Sequence, residues 1–189
     1  YCATNCTLIP LVIPVAAINK ISDIKSITMR SEQALSGAGW ELLYDQSALS
    51  GDVKPQIAGE AEKTHAELLH VLGTIESQEI TPATLDVSIS CQRIARRDGH
   101  QVFVEIETAV AVSHNTLINA LKGIACYSNL TSGPINAIHI VDKIDPIAHL
   151  WSDGSNFSHN PDPATNLKTG MGIVMGNILP VSYTHLTLP

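Results

Sequence analysis

A double run of alternation constrains the fold more than any other feature of this chain. Leu85, Val87, Ile89 and Cys91 alternate with Asp86, Ser88, Ser90 and Gln92, and the pattern resumes at Val102, Val104, Ile106, Val110 and Val112. Successive strand side chains point to opposite faces, so each run predicts a strand with one buried and one wet face. Arg96, Arg97, Asp98 and Gly99 lie between the runs. Asp-Gly is a favoured turn pair, and the spacing predicts a β-hairpin turned at Asp98-Gly99.

Helical spacing appears on both sides of this unit. Ala61, His65, Leu68, Leu69 and Leu72 recur with helical period, Glu60 and Glu62 favour the first turn, and Gly73 closes the stretch. Leu117, Ala120, Leu121, Ile124 and Ala125 form a second stripe, with Asn115 as its expected cap. Further strands are expected at Ile21–Arg30, Trp40–Tyr44, Val53–Ala58 and Ile135–Val141, and one or two helical turns within 31–39. Residues 45–52 and the Pro/Asn/Asp-rich stretch from Asp142 to about Lys168 read as loops. The class is α+β: strand-helix-strand-strand-helix, then a hairpin, helix and strand.

The expected organisation is a truncated N-terminal segment (1–20), a small α+β module (21–78), a hairpin-helix-strand module (82–142), a loop-rich segment (143–180) and a tail (181–189). The apolar run Leu8–Ile18 is too short to span a bilayer, which takes about 20 residues. Pro10 and Pro14 argue against a helix there, leaving a signal-peptide remnant or a buried strand. Residues 181–189, VSYTHLTLP, resemble the translation of a transposase adapter used in sequencing libraries. That frame requires Ser, Pro, Thr or Ala before Val181, and residue 180 is Pro. The tail, with Tyr183 and His185, is therefore set apart from fold and function. With Tyr1 rather than Met at the start, a fragment open at both ends is expected.

Eleven Lys and Arg against 18 Asp and Glu leave a net charge of -7, which gives no general pull towards nucleic acid. Arg93, Arg96 and Arg97 read as a solvated tip, because Phe103 stands alone without the aromatic interleaving of an RNA-binding sheet. The three Asn-x-Ser/Thr triplets at Asn5, Asn129 and Asn156 do not establish secretion.

Of the four cysteines, Cys2 and Cys6 are a close pair without the second pair a zinc ribbon needs, while Cys91 and Cys126 read as core thiols. The densest ligand-type cluster is His139, Asp142, Asp145, His149, Asp153, His159 and Asp162. It fits either a solvated loop with turn-forming Asp or a metal-dependent hydrolase centred on His139, His149 and Asp153. Glu62-x-x-His65 and Glu67-x-x-His70 share the di-iron spacing but overlap on one helix, where a bundle needs separate ones. Gly170-Met-Gly-Ile-Val-Met-Gly176 imitates a dinucleotide loop, with a last gap one residue too long and no strand expected before it. No residue is assigned a catalytic, cofactor-binding or metal role, and no cofactor is expected.

Residues 24–75 resemble the short N-terminal modules of secretins and TonB-dependent receptors. GAGWELLYDQSALSG followed by VKPQIAGEAEKTHAELLHVLG carries the resemblance, including the Leu68-Leu69 pair. It implies a non-enzymatic interaction or assembly module of a bacterial envelope machine, located in the envelope or periplasm. A protein partner or self-association is expected, with no nucleic acid and no transmembrane segment. The wet face of Ser88, Ser90, Gln92, Glu105 and Glu107 would be the docking surface. A viral or phage structural subunit is the other non-enzymatic alternative.

Overall fold

A computed structural model describes residues 4–126, 128–159, 161–162 and 164–180. Cys2 and the tail 181–189 lie outside the described residues. The elements run α1 (Ile9–Asn19), β1 (Ile24–Gln33), a 3-10 turn (Leu35–Ala38), α2 (Trp40–Leu43), α3 (Gln46–Leu49), α4 (Glu60–Val71), β2 (Thr74–Glu76), β3 (Glu79–Thr81), β4 (Asp86–Arg93), β5 (Gln101–Thr108), α5 (His114–Lys122), β6 (Ile138–Ile140) and β7 (Ile173–Met175). The expected mixture of helices and small sheets is what the chain forms.

The two alternating runs are β4 and β5, but they do not pair with each other. The strand order is β4-β1-β5, with β1 parallel to β4 and antiparallel to β5. A two-residue tip would have forced a hairpin. The connection instead runs from Ile94 to His100, enough to cross the two strand spacings, about 9.5 Å, that β1 fills. The central strand is thus drawn from the first expected module and its neighbours from the second.

Register aligns one buried row across the sheet. Ile27 faces Val87 and Ile106, Met29 faces Ile89 and Val104, and Ser31 faces Cys91 and Val102. Helices α1 and α4 cover this face, with Leu8, Leu11, Val15 and Leu68 buried against Ile27 and Met29. On the outer face Phe103 is not alone: the Arg30 guanidinium lies 4.0 Å above its ring centre, a cation–π contact.

The Leu8–Ile18 run is helix α1 rather than a strand. Pro10 falls in its first turn, where the missing N–H would have had no partner, and only Pro14 lies inside. An apolar circumference suits it because two cores share it. Leu11 and Val15 pack under the sheet, while Ala17 and Ile13 meet Leu121 of α5, Ala137, Ile138 of β6 and Met175 of β7. Trp40–Leu43 is a helical turn rather than a strand, and Val53–Ala58 contributes only a bridge from Gln56 to Gln92. Residues 45–52 include the turn α3, capped by Asp45, and Ser113 rather than Asn115 caps α5. Among the described residues no helix is long and apolar enough to cross a membrane.

Candidate functional site

Because β1 and β4 run parallel and β5 runs against them, the ends of β1 and β4 and the start of β5 share one edge of the sheet. On the core face, the alternating rows change character there. Ile27, Met29 and Ser31 lead to Gln33; Val87, Ile89 and Cys91 lead to Arg93; Ile106, Val104 and Val102 lead back to His100. At the same end, α4 begins at Glu60, and the turn holding Cys6 leads into α1. Five polar or reactive residues from distant parts of the sequence therefore meet where the apolar layer stops.

Hydrogen bonds join Gln33 to Glu60, and both Arg93 and His100 to the Ala34 backbone. Buried Gln33 donates from Nε2 to Thr7 Oγ1 at 2.8 Å and to Glu60 Oε1 at 2.9 Å. Asn5 Nδ2 donates to the same carboxylate oxygen at 2.9 Å. Burial works against the charge of Glu60, but these two donors, with Lys63 and Arg93, outweigh it and hold its carboxyl below the usual range. Arg93 Nη1 donates to the Ala34 carbonyl at 2.7 Å. Burial depresses its pKa, opposed by Cys6 and Glu60, so thiol, carboxylate and guanidinium lie within electrostatic reach of one another.

His100 completes the cluster. The Ala34 N–H donates to its Nδ1 at 3.3 Å, so the neutral ring carries its proton on Nε2. Burial, then Arg93 and Arg96, push its pKa down, with Glu60 opposing. A Cβ on Gly37 would stand 2.8 Å from Cε1 and Nε2 of His100 and 3.1 Å from Arg93 Nη1. Glycine at 37 therefore leaves room for the ring and the guanidinium. Of the three arginines expected in a solvated tip, only Arg97 is well exposed. Arg96 is largely covered, donates to the Gly99 carbonyl from Nε and Nη2, and lies 3.6 Å from Glu32.

The 139–162 cluster does not form a metal site. Three of its four aspartates cap turns: Asp145 Oδ1 accepts the Ile147 and Ala148 N–H groups, and Asp153 Oδ1 accepts those of Ser155 and Asn156. Asp162 does the same for Ala164. His139 pairs with Ser152 Oγ at 2.8 Å, and both His139 and His149 stack on Phe157. Among the described residues no group of three or more His, Cys, Asp or Glu could hold a metal ion.

The glycines of 170–176 serve packing. The middle of that stretch is β7, paired with β6, and a Cβ on Gly172 would meet the backbone of Gly154 at 2.6 Å. This is no strand–loop–helix phosphate cradle, so the described residues do not fit a dinucleotide loop at that position.

A thiol, a neutral imidazole donor, a guanidinium and a carboxylate at one sheet edge can add sulfur to a carbonyl, donate to the resulting oxygen and pair a charged substrate. None of Cys6, Gln33, Glu60 or His100 was marked by motif. The usable signal was parity: on each strand the buried alternation runs on into a polar residue.

No protein-family model matches the chain. It is 31% identical over 142 residues to aspartate-semialdehyde dehydrogenase of Methanothermobacter thermautotrophicus, covering 74% of this chain and 41% of the relative. To the Archaeoglobus fulgidus enzyme of the same name it is 31% identical over 178 residues, covering 92% and 46%. Among solved structures it resembles aspartate-semialdehyde dehydrogenase with NADP from Candida albicans, with a TM-score of 0.65, 26% identity, and coverage of 77% of this chain and 43% of that one. The fold also matches aspartate-semialdehyde dehydrogenase II of Vibrio cholerae, with a TM-score of 0.57, 16% identity and coverage of 75% and 45%. The chain spans less than half the length of these relatives. These likenesses overturn the secretin and TonB resemblance, which rested on apolar spacing common to many α+β units. They equally replace the expectations of a non-enzymatic assembly module, a metal-dependent hydrolase and a viral subunit: the proteins this chain is similar to are oxidoreductases.

Proposed function

We propose that this chain is the thiol-bearing part of an aspartate-semialdehyde dehydrogenase. The observation that carries the reading is that Asn5 and Thr7, on either side of Cys6, are bonded to Glu60 and Gln33 at the sheet end that Arg93 and His100 also occupy, in a chain similar to enzymes of that name along most of its length. The substrate keeps one carboxylate and the amino group of aspartate beside its aldehyde. Arg93 pairs the carboxylate: its guanidinium has five N–H donors, and Nη1 is anchored on Ala34. Glu60, held charged, faces the ammonium. The Cys6 thiolate adds to the aldehyde carbon, forming a C–S bond and leaving negative charge on the oxygen. The Nε2–H of His100 stabilises that oxygen.

A dinucleotide, when bound, would accept the aldehyde hydrogen as hydride, leaving an acyl group on Cys6 that a second nucleophile must remove. The described residues do not cradle one in the glycine stretch, so this chain's own contribution is the addition step. The test is NADPH formation from L-aspartate semialdehyde, NADP and inorganic phosphate by the full-length protein, the phosphate serving as the nucleophile that releases the acyl group from Cys6. Wild type turns over and Cys6→Ser loses at least about a thousandfold. Wild-type inactivity, or an active Cys6→Ser, contradicts the reading.

A further inference from the structure

We propose that Glu67 is a positioning residue that sets the reactivity of the Cys6 thiol by holding the turn that presents it; this rests on the thiol reading above. Asn5 directly precedes Cys6 and uses all four of its polar groups. Its carbonyl accepts from Leu8 N–H at 2.9 Å and Ile9 N–H at 3.3 Å, starting α1. Its Oδ1 accepts the Thr7 N–H at 2.7 Å, and its Nδ2 donates to Glu60. Its own backbone N–H donates to Glu67 Oε2 at 2.9 Å.

Glu60 and Glu67 are two turns apart and therefore on one face of α4. Together they fasten the residue before the thiol to α4. On the other side of Cys6, buried Thr7 is fastened to β1 through Gln33. The Cys6 side chain itself is exposed, so its position depends on this two-sided hold of the backbone. Glu67 supplies a charged acceptor, which makes the stronger kind of hydrogen bond to an amide. Its other near partner, exposed Lys63 at 4.0 Å, forms an i,i+4 pair of small value.

The test compares Glu67→Ala, which suits a helix surface, with Glu67→Gln, which retains an acceptor oxygen. Two quantities are read on the full-length protein: the rate of Cys6 alkylation by iodoacetamide, located by peptide mass, and kcat against KM for the aldehyde. Glu67→Ala is expected to slow alkylation and kcat about tenfold, as a small misplacement of a reacting atom does. KM stays within about twofold and Glu67→Gln recovers most of the loss, as expected of an acceptor that positions the thiol. Wild-type alkylation and kcat in Glu67→Ala, or equal impairment in both variants, overturns the proposal. Alkylation needs no turnover, so the outcomes separate. A slowed Cys6 in a protein that does not oxidise the aldehyde upholds Glu67 and removes the dehydrogenase reading. An inactive Cys6→Ser beside an unaffected Glu67→Ala does the reverse.

Discussion

The strand-end cluster and the 139–162 segment hold similar residue types, and they differ in what those residues are free to do. In the segment, the carboxylates of Asp145, Asp153 and Asp162 accept N–H groups two or three residues ahead, which shapes loops. At the strand ends, Glu60 is fixed by partners far away in sequence, and the Cys6 thiol remains exposed. Local density of ligand-type residues marked turns. Chemistry gathered where three strands and two helix starts meet.

The sharpest way to break this contrast is to mutate both regions and compare. Cys6→Ser should abolish aldehyde oxidation by at least about a thousandfold, whereas Asp153→Ala should leave kcat within about twofold. Equal loss in both would erase the distinction.

Gly37→Ala tests the crowding at the site. The added Cβ would displace the His100 ring and the Arg93 guanidinium, and activity should fall roughly tenfold to a hundredfold. Steady-state kinetics on the folded variant measures it, and unchanged kinetics would mean the ring is free to move.

Acid should weaken both regions, each through a histidine whose proton affinity burial lowers. His100 has a folded pKa below the unfolded value of about 6.5. Between those two values the unfolded chain binds a proton that the folded chain refuses, so stability falls as pH drops below about 6.5. His139 shifts the same way, from burial first. His100→Asn should therefore flatten the pH dependence of the denaturation midpoint in part, and a slope identical to wild type would contradict the burial of His100.

Two smaller effects follow. Asp153→Ala removes the acceptor for two backbone N–H groups and should cost about 1 kcal/mol in denaturant unfolding. Thr64→Val should be neutral or slightly stabilising, because Thr64 Oγ1 is buried without a hydrogen-bond partner among the described residues. A loss above about 1 kcal/mol would show that the hydroxyl has one.

Much of the fold was legible in the amino-acid pattern. Alternation located β4 and β5, helical spacing and early acids located α4, and the stripe around Leu121 located α5. Their pairing was not legible. Alternation reports that a strand has a buried face but not which strand lies beside it, and β1, far away in sequence, took the central place. The prolines of α1 misled for a related reason: helix-breaking is a local cost, and burial on two sides outweighed it.

The site was less visible still. Cys6 stood in no motif because its partners come from residues 33, 60, 93 and 100, which only the parallel pairing of β1 with β4 brings to one edge. Arg93 and Arg96 looked solvated beside a supposed tip, but with β5 displaced by one strand Arg93 is half-buried and Arg96 largely covered. Parity was the overlooked sign: Gln33, Arg93 and His100 occupy inward positions where an apolar residue would ordinarily continue the row.

The most direct measurement is stoichiometric alkylation of the full-length protein with iodoacetamide, with label position and residual activity followed together. The account predicts loss of activity in step with label on Cys6, slowed by L-aspartate semialdehyde, while half-buried Cys91 and Cys126 react later. Full activity with Cys6 labelled, or inactivation that follows Cys91 or Cys126 instead, would contradict it.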